Sequence, residues 1–148
     1  MLYEYLKIFH IICAGILLTS IGYSYHLWKG MENKQITGEI FELIQKQTWL
    51  LIMPLSIFQL ASGFTMISLK EYNFSELWIS GSVISFMLVI ASWFGFIYFL
   101  LLSQQISISP SKSAATFYRR AQRGSLWVCK FSLVFMIFFM TTKTTGSA

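Results

Sequence analysis

Few side chains in this 148-residue sequence can do chemistry, and their surroundings are unusual. His10 stands in a stretch, Ile8 to Trp28, that holds no lysine, arginine or acid. An ionisable group inside so apolar a run usually faces neighbouring protein and marks a site. A neutral imidazole there can ligate haem iron or a soft metal, or carry a proton. It can equally hydrogen-bond a neighbouring helix. Gln59 is the strongest uncharged polar group of the second apolar run, and an unpaired buried amide is costly. It either bonds another helix or lines the same cavity as His10. Pro54 lies five residues before it and would loosen the helix and free a carbonyl. Met136, Met140 and Lys143 recur at helical spacing near the end of the chain. Met140 can ligate haem iron or Cu(I), or simply pack. Lys143 either snorkels to the membrane boundary or supplies a cation for a carboxylate or propionate.

The other reactive residues point elsewhere. His26 is followed by Trp28 and Lys29, which places it at an interface. It lies about 24 Å along a helix from His10 and about 160° around it, so the two cannot grip one haem. Cys13 and Cys129 fall at different membrane depths and read as unlinked packing residues. All six acids are glutamate, and none lies deep in an apolar run. Paired-carboxylate catalysis in the membrane therefore has no candidates. There is no CxxC, HExxH, GxGxxG, phosphate-binding loop or EF-hand loop.

The elements that must position these residues follow from composition. Apolar residues make up 55% and charged residues 11%, less than half the charge of an average soluble domain. Four long apolar runs predict spans of about 5–28, 47–69, 77–102 and 124–143. Each is long enough to cross a hydrocarbon core as a helix. The expectation is an all-α polytopic membrane protein, a single domain built as a four-transmembrane-helix up-down bundle. The first span has Glu4 and Lys7 before it and no clear small-x-small cleavage site, so it reads as a retained helix. Ile36, Ile40, Leu43 and Ile44 read as a cytoplasmic extension of the second helix, and 106–113, with Pro110 and four serines, reads as a linker. Gly15/Thr19, Gly81/Ser85 and Ala91/Gly95 mark close-packing seams. Trp28, Trp49, Trp78 and Trp127 fall near span ends, as an aromatic belt does.

The formal charge is +5, and the cations sit in loops rather than on a nucleic-acid face. Lys29, Lys34, Lys46, Lys112, Arg119, Arg120 and Arg123 lie on one side, with Lys130 adding to them; Lys7, Lys70 and Lys143 lie on the other. The positive-inside rule then puts the first and third loops in the cytoplasm and both termini outside.

Taken in order, Leu6-Lys7-Ile8-Phe9-His10, Gly15, Gly22, Pro54, Gln59, Gly63, Leu77-Trp78, Trp93, Gln104, Tyr118-Arg119-Arg120 and Phe139-Met140-Thr141-Thr142-Lys143 resemble a family of predicted bacterial integral membrane proteins of unknown function. Its members start L-K-x-x-H and end L-M-V-x-K-P; here Thr141 and Thr144 replace the Val and Pro. That family resembles, more distantly, the HemJ-type protoporphyrinogen IX oxidases and the CopD copper-resistance domain. The resemblance implies an association with haem b and, by motif position, roles in activity for His10 and Lys143; in the haem site built on it His10 is an axial or metal ligand or a proton carrier, and Lys143 pairs with a propionate. Gln59 and Met140 would complete its lining. The expectation that competes with it is a non-enzymatic accessory subunit of a larger membrane complex, or a homo-oligomeric scaffold, with His10 and Gln59 as interhelical partners. A transporter would need acids in the membrane or a repeat, and the sequence has neither. The expected location is the bacterial inner membrane.

Overall fold

The computed structural model describes residues 1–31, 38–106 and 112–142. Among them every regular element is a helix: α1 (Leu2–Met31), α2 (Gly38–Gln47), a π-helical turn (Thr48–Ile52), α3 (Met53–Leu69), α4 (Leu77–Ile106) and α5 (Lys112–Thr142). Four continuous helical segments, 2–30, 38–69, 77–105 and 114–142, are long and apolar enough to cross a membrane. Helices dominate because lipid offers no partner for a free N–H or C=O. The helices outrun the apolar spans. Ile106 closes α4 and Lys112 opens α5, so the expected 106–113 linker is helical at both ends; residues 107–111 lie outside the described set. The expected extension of the second helix is present as α2, although Ile36 lies outside the described residues.

The chain divides into two compact units, residues 1–72 and 73–148. The first is an antiparallel pair: α1 against the α2–π–α3 segment. Cys13, Leu17, Ile21, Ser24 and Trp28 face inward from α1, and Phe41, Ile44, Thr48, Ile52, Ser56, Gln59 and Ser62 from its partner. Steps of three and four give each segment one continuous buried face. Trp28 thus belongs to the seam, and not to the aromatic belt expected of it.

The π-turn keeps that seam in register. Twelve residues separate Ile44 from Ser56, and in an unbroken α-helix they would diverge by about 120°. One extra residue in the turn takes back about 100° of it. Its cause is Pro54, which has no N–H and whose ring would strike the carbonyl four residues back. The Met53 N–H instead donates to the Thr48 carbonyl, one residue further than an α-helical bond. The helix ends in a Schellman turn, in which the Tyr72 N–H donates to the Ile67 carbonyl and Glu71 adopts a left-handed φ of 54°. Lys70 Nζ lies 4.8 Å from the centre of the Tyr3 ring and ties the two helix ends together.

The second unit is the antiparallel pair α4–α5. Ile79, Phe86, Val89, Trp93, Phe96 and Leu100 meet Gln122, Leu126, Cys129, Ser132 and Met136. Gly81 is a true close approach: a Cβ there would lie 2.8 Å from the Phe139 ring. At Gly95 the nearest atom would be Ser125 Oγ, at 3.4 Å. Gly15 differs, with nothing within 4 Å. With Thr19, Tyr23 and Gln47 it lines an open groove of about 460 Å³, so that small-residue pair is no seam within its own unit.

Candidate functional site

The first unit contains a buried polar cluster built by His10 from α1 and by Gln59 and Ser62 from α3. The α3 pair is three residues apart, so both side chains leave the same face of the helix. Gln59 is 6% exposed and Ser62 3%; His10 is half-buried. His10 Nδ1 lies 2.7 Å from Ser62 Oγ, and His10 Nε2 lies 2.7 Å from Gln59 Nε2. Ser62 Oγ also donates to the main-chain carbonyl of Gln59 at 3.1 Å.

One placement of the protons satisfies these three contacts together. The Ser62 hydroxyl spends its proton on the Gln59 carbonyl, so toward His10 it can only accept. Nδ1 therefore carries the imidazole proton and donates it. Nε2 then holds the lone pair and accepts from the Gln59 amide. Both ring nitrogens are engaged, and the imidazole is neutral. Gln59 Oε1, by contrast, is buried and has no hydrogen-bond partner. Next to the ring, a Cβ at Gly63 would sit 3.5 Å from His10 Cε1, an ordinary contact that the site could accommodate.

Two further glutamines act as clasps. In the first unit Gln47 accepts from Ser24 Oγ at 2.9 Å and donates to the Ser20 carbonyl at 3.2 Å. In the second unit Gln122 donates to the Phe99 carbonyl and to Ser103 Oγ, each at 3.2 Å. Sequence reasoning passed over Gln47, Gln122 and Ser62. Gln47 lies at a span edge and Gln122 among arginines, where a solvated side chain is the default. The available signal was spacing: Ser24 lies two heptads beyond His10, on the same face.

The remaining predicted site residues are scattered. Met140 is 42% exposed on the last turns of α5, whereas Met136, one turn earlier, is buried. Lys143 lies outside the described residues. Trp93 is fully buried, its ring centre 5.3 Å from that of Phe96, and is a core residue of α4. His26 is exposed, and both cysteines are buried and unlinked. Among the described residues no three His, Cys, Asp or Glu side chains converge as a metal-binding group.

No curated protein and no solved structure matches the chain. A family described as predicted integral membrane proteins (DUF2269) matches it over residues 4–144, nearly its whole length. With four membrane-length helices and that coverage, the chain belongs to this family of integral membrane proteins of unknown function.

Proposed function

We propose that the protein is a non-enzymatic membrane subunit, an accessory or scaffold component of a larger membrane complex or of its own oligomer. The supporting observation is the engagement of both His10 nitrogens by Gln59 and Ser62, each at 2.7 Å. A histidine held this way latches α1 to α3. Interhelical hydrogen bonds of this kind contribute about 0.6–2 kcal/mol each in a membrane. The home of the protein in this reading is the bacterial inner membrane, with both termini outside.

One observation favours a second reading, in which His10 serves haem b. The Nδ1–H bond to Ser62 orients the ring and leaves the lone pair on Nε2, as in metal-bound histidines. For that role Gln59 would have to release Nε2. Haem, once bound, would supply one-electron redox chemistry. The chain's own part would be to orient the imidazole through Ser62 and to keep its Nδ1 proton.

The ultraviolet–visible spectrum of detergent-purified protein, oxidised and dithionite-reduced, from cells supplied with a haem precursor decides between them. The scaffold reading expects colourless protein that co-purifies with larger membrane partners. A Soret band that disappears in His10→Ala would overturn it in favour of haem.

A further inference from the structure

The net charge of +5 is confined to one half of the chain. The first unit has five cations, Lys7, Lys29, Lys34, Lys46 and Lys70, against five acids. The second has six, Lys112, Arg119, Arg120, Arg123, Lys130 and Lys143, against Glu76 alone. Glu76 immediately precedes α4, at the end of the hairpin remote from the arginines.

The cations of α5 are also aligned. Arg119, Arg123, Trp127 and Lys130 share an arc of about 80° on the helix, and all four are exposed. About twenty residues cross the hydrocarbon core, so a span ending near Thr142 begins near Arg123. Lys130 is then about 10 Å deeper than Arg123, too deep for an ammonium to remain in the apolar layer. A helical side chain leans toward the N-terminus, and this one leans back over its neighbour. Lys130 Nζ lies 5.3 Å from the centre of the Trp127 ring. Trp127 is itself stacked on Phe131, with ring centres 5.7 Å apart. The indole thus forms an apolar wall that directs the ammonium toward the level of Arg123, where phospholipid headgroups lie.

We infer that Arg119, Arg123, Trp127 and Lys130 form a binding site on α5 for the phosphodiester of an anionic phospholipid. Arginine offers a planar fork to phosphate oxygens, lysine a point charge, and tryptophan the amphipathic ring found at this depth. The acyl chains would lie along the exposed apolar face formed by Phe131, Val134, Phe135 and Phe138. A zwitterionic lipid carries its own ammonium and meets this cationic column with no net attraction.

The test is native mass spectrometry of the full chain in non-ionic detergent with equal amounts of dioleoylphosphatidylglycerol and dioleoylphosphatidylcholine. The expected result is selective retention of phosphatidylglycerol. One cation near an anionic surface contributes roughly fivefold in affinity, so Arg123→Gln/Lys130→Gln should lose roughly twenty-fivefold. The charge-conserving Arg123→Lys/Lys130→Arg should keep the preference. Should the neutralised variant lose its helical circular-dichroism signal, Arg119→Gln/Arg123→Gln replaces it, with the same loss expected. Equal retention of the two lipids would overturn the site, as would an undiminished preference in the neutralised protein. Displacement of the lipid by millimolar inorganic phosphate would show a bare-anion site and overturn the lipid assignment.

Discussion

His10, Gln59 and Ser62 work as a unit, so their substitutions should not add. Removing His10 alone leaves a buried Gln59 amide with neither end of its side chain bonded, which costs about 1–3 kcal/mol. Removing Gln59 alone strips Nε2 of its donor. Replacing both by leucine removes donor and acceptor together and should cost less than the two singles summed, by about 0.6–2 kcal/mol. Thermal unfolding of the four proteins in one detergent measures that coupling, and strict additivity would mean that the latch contributes nothing. His10 and Gln59 were legible in the sequence because polar groups in apolar runs are conspicuous. Ser62 was not, since a serine in a membrane helix ordinarily bonds its own backbone, as Ser56 does to the Ile52 carbonyl. The exact pairing of nitrogens was beyond the sequence, because it depends on a serine hydroxyl three residues from the glutamine.

At the scale of elements, four helices could be read from apolar run lengths alone, and their partners could not. The π-turn shows why. Pro54 announced a disturbance, but only the register of Ile44 and Ser56 decides that one extra residue is absorbed instead of a kink forming. The small-residue pairs were similarly ambiguous: spacing identifies a smooth patch, and the packing partner decides its role. Gly81→Ala should destabilise the α4–α5 hairpin by about 1–3 kcal/mol, since the new methyl meets the Phe139 ring. Gly15→Ala adds a methyl to open space and should leave stability unchanged or slightly raised, as helix propensity favours alanine over glycine. Melting temperatures of the two variants side by side check this ordering, and equal losses would refute it.

For the whole molecule, family membership and the four spans agree with what composition implied, and the chemistry stays with a handful of buried amides. The confinement of net charge to the second hairpin also bears on biosynthesis. A ribosome delivers the electrically balanced half first, and its lysines differ little between the two ends of the hairpin: three lie in the first loop, and Lys7 and Lys70 at the opposite end. The decisive excess of cations emerges only with α5. If the positive-inside rule governs here, that excess would set the orientation late, after three membrane helices have already left the exit tunnel, and the first hairpin would wait on the second for its direction. A periplasmic reporter fused after Ala148 should be active. The same reporter fused after Tyr72 in a chain truncated there should give mixed signals, half the molecules facing each way. Uniform orientation of that shortened chain would mean that the first two helices choose their own direction.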